Sequence, residues 1–311
     1  MPVTPIPDDL AALRRALDGR YDVERLLATG GMGSVYLGRD TTLDRPVAIK
    51  VIAPELAASA ALRERFLREA RTVARLRHPN IVAVYAAGAA EGTLYFVMEY
   101  VDGESVRQRL ERDGAWRGPG AVEALRDLAR ALAYAHAQGI VHRDVKPENI
   151  LVERDSGRAL LTDFGVAQAL AGGDESGRMT ATGMVIGSPF YMSPEQAAGE
   201  RALDGRSDIY SLGLVGYEML AGAPVVQATS AATAIMKQLT ERATALRLRA
   251  PDAPPAVADA IDRALEKDPA DRWPDASAFA DALDAGRSGP GTPVPATTVL
   301  PVARAGSRAC W

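Results

Sequence analysis

The run Val141-His142-Arg143-Asp144-Val145-Lys146-Pro147-Glu148-Asn149, followed by Asp163-Phe164-Gly165, decides how the chain is read. Between residues 144 and 163 it sets two aspartates, a lysine and an asparagine. An aspartate takes a proton from a hydroxyl, a lysine holds phosphate oxygens, and Asp with Asn offers hard oxygens suited to a divalent cation. Any one of these side chains is ordinary on a solvated loop. The whole set in order is hard to explain structurally and implies the rest of a phosphate site in the flanking sequence.

Upstream, Leu27-Ala28-Thr29-Gly30-Gly31-Met32-Gly33-Ser34-Val35-Tyr36 places a glycine-rich turn between two strand-like runs. Glycine lets a backbone approach phosphate closely and aim its N–H groups at the oxygens. A dinucleotide fold needs a helix after such glycines, yet Ser34-Val35-Tyr36-Leu37 reads as a strand. A plain tight turn explains the hairpin equally well on turn chemistry alone.

The following strand, Val47-Ala48-Ile49-Lys50, carries a lysine where burial is expected. A buried ammonium needs a partner; a lysine snorkelling from an edge strand is the plainer alternative. Glu69 is the candidate partner, because Phe66, Glu69 and Val73 fall on one helical stripe. A lysine and a carboxylate that both face the core explain each other if they pair.

Composition bounds the class. The net charge is −4 with 24% charged residues, so bulk electrostatics gives no case for nucleic acid. The apolar fraction of 47%, mostly Ala, Leu and Val, is that of an ordinary soluble enzyme. Cys310 is the single cysteine, so no internal disulfide forms and a reducing compartment is expected. There is no basic-then-apolar leader pattern, and no apolar run approaches the roughly 20 residues of a membrane helix.

Four parts are expected along the chain. Residues 1–20 form an extension with a short helix carrying Leu10, Leu13 and Leu17; residues 21–100 are mainly strands with one helix, after a Ser59 cap; residues 101–285 are helical; residues 286–311 are a Pro/Gly-rich flexible tail. Val122, Leu125, Leu128 and Leu132 make one helical stripe, and Ile209, Leu212, Val215 and Met219 another. A small β-rich lobe before a larger helical one implies a cleft between them.

From Tyr21 to Ala285 the chain resembles bacterial protein kinases of the eukaryotic-like serine/threonine class. Besides the runs above, the resemblance rests on His78-Pro79-Asn80-Ile81-Val82, Met98-Glu99-Tyr100, Ser193-Pro194-Glu195, Asp208-Ile209-Tyr210-Ser211-Leu212-Gly213 and Asp268-Pro269-Ala270-Asp271-Arg272, in that order. It implies an α+β, two-lobed protein-kinase-like fold: a small antiparallel β-sheet lobe with one key helix, a larger mainly helical lobe, and the catalytic cleft between.

The resemblance also implies roles. Asp144 is the base, Lys146 offsets charge on the transferred phosphate, Lys50 paired with Glu69 holds the α- and β-phosphates, and Asn149 and Asp163 bind Mg²⁺, with Mn²⁺ as an alternative. ATP lies under Leu27, Ala28, Gly30, Gly31, Met32 and Gly33. Val35, Ala48 and Leu151 sandwich its adenine behind the gatekeeper Met98, and Glu99 and the backbone of Val101 bind the adenine edge. Glu195 pairs with Arg272, and Asp208 holds the catalytic loop from a central helix.

Thr180 and Thr182 lie in a polar, Gly-rich stretch and are expected sites of autophosphorylation, read by Arg143; as plain solvated loop residues they would be silent. Lys146 and Ser188 favour serine/threonine over tyrosine acceptors. The expected partners are ATP and protein substrates, without nucleic acid or a membrane span, and with a homodimer through the small lobe admitted by the resemblance. The expected location is cytoplasmic, either alone or as the cytoplasmic part of a longer membrane-anchored protein. The alternative functions are a pseudokinase acting as a nucleotide-binding scaffold and a small-molecule kinase. One departure stands out: Ala28 occupies the first glycine position of the family's loop, which costs little if the site is extended.

Overall fold

The computed structural model describes residues 13–15, 17, 19–30, 33–53, 60–90, 93–116, 118–164, 189–200 and 202–285. Its N-terminal part is an antiparallel sheet of strands β1 (Tyr21–Gly30), β2 (Gly33–Asp40), β3 (Arg45–Ile52), β4 (Val84–Ala90) and β5 (Thr93–Glu99), in the order β1-β2-β3-β5-β4. Helix α1 (Ala60–Val73) crosses one face.

Alternation sorts the side chains of this sheet. Val47, Ile49 and Val97 join Tyr21, Val23 and Tyr36 on one face, where Leu13 and Leu17 of the N-terminal helical residues cover them. On the other face Phe66 and Ala70 of α1 pack on Ile52, Leu94 and Phe96, and the Phe66 and Phe96 rings lie 4.4 Å apart. Thus β3 is buried from Val47 to Lys50, covered on both faces instead of one. Leu10 and Ser59 lie outside the described residues.

The C-terminal part opens with β6 (Gly103–Ser105) and helix α2 (Val106–Asp113), started by a capping box between Ser105 and Gln108. Helix α3 (Pro119–His136) buries the expected stripe of Val122, Leu125, Leu128 and Leu132. Strands β7 (Ile150–Glu153) and β8 (Ala159–Leu161) then join β6 in a second sheet. The helical expectation for this region missed these strands, which are too short to show a period.

Helices α4 (Pro194–Ala197), α5 (Gly205–Ala221), α6 (Ala231–Thr240), α7 (Leu246–Arg249), α8 (Pro255–Ala264) and α9 (Ala276–Ala285) complete the lobe. Asp204 caps α5, and Gly222, at φ 72°, ends it in the left-handed conformation. On α5 the stripe of Ile209, Leu212, Val215 and Met219 is buried, but so are Tyr210, Leu214, Tyr217 and Glu218. It is a central helix, enclosed all round, and not an amphipathic surface helix.

The run after α1 joins the two parts. Leu161 N–H donates to the Asn80 carbonyl at 2.9 Å, Val82 N–H donates to the Leu161 carbonyl at 2.9 Å, and Asn80 Nδ2 donates to the Ala159 carbonyl at 2.8 Å. His78–Val82 therefore hooks the small sheet onto β8, and the cleft opens in front of that hook.

Candidate active site

The loop before β7 is held from α5. Both oxygens of Asp208, which is 1% exposed, accept backbone N–H groups: Oδ2 from His142 and Oδ1 from Arg143, each at 2.7 Å. His136 Nε2 lies 2.8 Å from Oδ2. Burial pushes the Asp208 carboxyl up, but His136, His142 and the Arg143 N–H outweigh it and hold it below the usual carboxylate range. This anchorage supports Arg143 at φ 68°, a conformation that costs a non-glycine residue about 1 kcal/mol or more.

The same loop fixes His142. Its Nδ1 accepts the Asp144 N–H at 3.3 Å, so its Nε2, 2.9 Å from the Thr162 carbonyl, carries the proton. Its ring packs on Phe164 with centroids 4.4 Å apart. His142 thus ties the loop at 141–149 to the strand end that presents Asp163, itself at φ 68°.

Three of the expected residues meet at one atom. Asp144 Oδ2 accepts from Lys146 Nζ at 2.7 Å and from Asn149 Nδ2 at 2.9 Å. Asn149 Nδ2 also donates to the Asp144 carbonyl at 2.8 Å. With the amide nitrogen so committed, Asn149 Oδ1 is its remaining acceptor. Among the described residues Asp144 Oδ1 accepts no hydrogen bond, so it is available to a hydroxyl.

Lys50 departs from expectation. Its Nζ lies 2.6 Å from Asp163 Oδ2, with side-chain exposures of 7% and 17%. Glu69, its expected partner, instead accepts from Arg68 Nε at 3.4 Å. A buried ammonium needs a partner, and Asp163, 17% exposed, supplies it here, while the Glu69 side chain is 25% exposed and meets Arg68. The lysine is buried and paired, as the strand pattern required, with the opposite lobe's aspartate.

Opposite the loop, Val35, Ala48, Met98, Val101 and Leu151 gather in one apolar cluster, as an adenine slot requires. Val82 and Leu160 belong to it and were not singled out from sequence. Val82 ends the His78–Val82 run, which was the available signal; Leu160 sits on a three-residue strand that gave none. Glu99 N–H donates to the Ala83 carbonyl at 2.9 Å, and its side chain turns back to the Ala83 N–H at 3.3 Å. Its N–H and one carboxylate oxygen are thereby committed within the chain.

Ala28 lies within β1, paired with Val35, and is not among the described positive-φ residues, so its methyl is tolerated. Gly33 is different: at φ 134°, a Cβ there would sit 1.9 Å from the Val51 carbonyl oxygen. Gly31, Met32, Thr180, Thr182 and Ser188 lie outside the described residues.

Below the loop, Arg272 makes a two-pronged pair with Glu195, both bonds at 2.8 Å, while Ser207 Oγ donates to Glu195 at 2.6 Å. Burial raises the Glu195 carboxyl, but these hydrogen bonds and the Arg272 charge bring it below the usual value. Gln196 Nε2 donates to the Arg143 carbonyl at 2.9 Å, joining this scaffold to the loop. The Arg143 Nε is buried and has no hydrogen-bond partner among the described residues.

Comparison with known proteins shows the family and the fold. The model of the protein kinase domain matches residues 21–282. The serine/threonine-protein kinase PknA of Mycobacterium tuberculosis is 43% identical over 290 residues, which cover 92% of this chain and 65% of PknA. PknB of Mycolicibacterium smegmatis is 42% identical over 261 residues, 83% of this chain and 41% of PknB. The chain therefore spans two thirds or less of these relatives. The crystal structure of the Mycobacterium tuberculosis PknI kinase domain superposes with a TM-score of 0.68 at 34% identity, covering 86% of this chain and 96% of that one. Among the described residues no helix is long and apolar enough to cross a membrane.

Proposed function

The chain belongs to the protein kinase domain family, and from that premise we propose that it transfers the γ-phosphate of ATP to serine and threonine hydroxyls of proteins. The observation that carries this reading is the convergence of Lys146 and Asn149 on one oxygen of Asp144, while the other accepts no hydrogen bond among the described residues.

Asp144 Oδ1 receives the acceptor hydroxyl's hydrogen and aims its oxygen at the γ-phosphorus; the new P–O bond forms as the bond to the ADP oxygen breaks. Lys146, held at 2.7 Å from Asp144, offsets the charge gathering on the transferred group. Lys50 serves the α- and β-phosphates. The donor set suits Mg²⁺, or Mn²⁺, because Asn149 Oδ1 and the Asp163 carboxylate are hard oxygens and few in number. Bound there, the cation would neutralise phosphate charge. The pairing of Lys50 with Asp163 is then one of two arrangements, and the transfer-competent one exchanges Asp163 for Glu69.

Lys50, Asp144, Asn149 and Asp163 are all retained, and the named relatives are serine/threonine kinases, which favours transfer over scaffolding. The Nε of Arg143, without a hydrogen-bond partner among the described residues, supports its assignment as reader of a phosphate on Thr180 or Thr182. Glycine-rich turn residues Leu27 to Gly33 cover the nucleotide. Action on the cytoplasmic side and pairing of two small lobes complete the proposal. Mass spectrometry of protein co-expressed with a phosphatase and then given ATP and Mg²⁺ tests it: phosphate on Thr180 or Thr182 is expected, and none between residues 174 and 188 would contradict autophosphorylation.

A further inference from the structure

Beside the catalytic loop lies a charged cluster that none of the roles above uses. Arg107, on the first turn of α2, donates from Nε to Glu148 and from Nη1 to Glu218, each at 2.9 Å. Its Nη2 donates to the Tyr191 hydroxyl, which donates in turn to Glu218. Four separate elements meet here: α2, the turn Pro147–Asn149, the turn Pro189–Tyr191 and α5.

One cation thus serves two carboxylates and a phenol. Burial alone would lower the Arg107 guanidinium, but Glu218 and Glu148 outweigh it and keep it charged. Burial and the Glu218 charge push the Tyr191 phenol up, so it stays protonated and donates. The cluster is closed at one end and open at the other: Glu218 is 4% exposed, Arg107 25% and Glu148 45%. Its open end adjoins the base, since Glu148 precedes Asn149, whose amide bonds Asp144. A polypeptide whose hydroxyl reaches Asp144 must pass beside Glu148.

We propose that Arg107 sets the charge preference of this site for its protein substrate. Its guanidinium fills, from within the chain, the recess between Glu148 and Glu218 that a basic substrate side chain would otherwise enter. A lysine or arginine flanking the acceptor hydroxyl therefore gains nothing, and removing Arg107 opens a recess that takes one. This rests on the kinase reading above.

The test compares peptides with one threonine, flanked by arginine, alanine or glutamate scanned through neighbouring positions. Both kcat/KM and equilibrium binding, by fluorescence anisotropy, are measured. In the native chain arginine and alanine peptides are expected to agree within about threefold at every position. Arg107→Met is expected to favour arginine at one position by about tenfold, the size of one charge-assisted hydrogen bond, through KM and not kcat. The double variant Arg107→Met, Glu148→Gln is expected to lose that gain.

Arg107→Gln, which keeps N–H donors for Glu218, replaces the methionine variant if a thermal melt shows that variant unfolded. A tenfold arginine preference in the native chain overturns the proposal. So does an equal loss for all peptides in both Arg107 variants, which marks Arg107 as structural only. The binding arm keeps the two readings apart: if transfer is absent but the arginine gain in affinity appears, the charge proposal stands and the kinase reading falls. If transfer proceeds without that gain, the reverse holds.

Discussion

Lys50 Nζ lies 2.6 Å from Asp163 Oδ2, so the lysine of the small sheet is held by the aspartate of the opposite lobe. Glu69, on the helix facing Lys50, holds Arg68 on the surface instead. Charge neutrality is met without the helix carboxylate, and the proposed function has phosphate binding exchange this pair.

Glu69 therefore separates stability from activity. Its contact with Arg68, whose side chain is 70% exposed, contributes no more than about 0.5 kcal/mol. Glu69→Gln is expected to leave the melting temperature within about 2 °C of native. It is expected to lower phosphate transfer about a hundredfold, because Lys50 then lacks its second partner. Melting curves and steady-state rates on the same preparation check this; near-native rates would show that Lys50 never exchanges Asp163 for Glu69.

Asp208 makes the loop depend on pH. Its folded carboxyl, like that of Glu195, lies below the ordinary value. Each contributes stability fully present above its unfolded pKa, near 4, and lost as pH falls through the lower folded value. Asp208→Ala is expected to cost about 3–5 kcal/mol, since it strands the His142 and Arg143 N–H groups. Asp208→Asn is expected to flatten part of the acid slope. Urea unfolding between pH 3 and 6 measures both.

Lys267 works in the opposite pH range. Its Nζ donates to the Tyr210 hydroxyl and the Gln238 carbonyl, each at 2.8 Å. Burial, then repulsion from Arg272, pushes it down to about 8. Below that value the folded protein holds a disfavoured charge; between it and the unfolded value near 10.4 the unfolded chain binds the extra proton. Stability is therefore expected to rise with pH across that interval. Lys267→Met is expected to remove the rise in melting scans from pH 7 to 10.

Gly33 tests the phosphate turn. At φ 134° and with the Val51 carbonyl 1.9 Å from any Cβ, Gly33→Ala is expected to destabilise by about 2–3 kcal/mol. It is also expected to weaken nucleotide binding, measured by titration with a fluorescent ATP analogue. Unchanged affinity would remove this turn from the site.

Periodicity and motif order exposed much of this in the sequence. The stripes of α3 and α5, the strand of Lys50 and the set Asp144–Lys146–Asn149 all carried local signals, because each is fixed within a few residues. What stayed hidden depends on contacts across the cleft. The pairing of Lys50 with Asp163 joins residues 113 positions apart, so no local pattern announces it. The short strands β6 to β8 have too few residues to show alternation, and so Leu160 escaped notice. The enclosure of α5 reflects what packs around it, which no single helix encodes.

The measurement closest to the central claim is transfer of labelled γ-phosphate to a generic protein substrate with Mg²⁺, comparing the native chain with Asp144→Asn and Lys50→Met. ATP binding is measured alongside on all three. Label on serine or threonine with the native chain, lost by at least about a thousandfold in Asp144→Asn while nucleotide binding persists, is the predicted result. Equal transfer by all three proteins, or nucleotide binding without transfer by the native chain, would contradict the account.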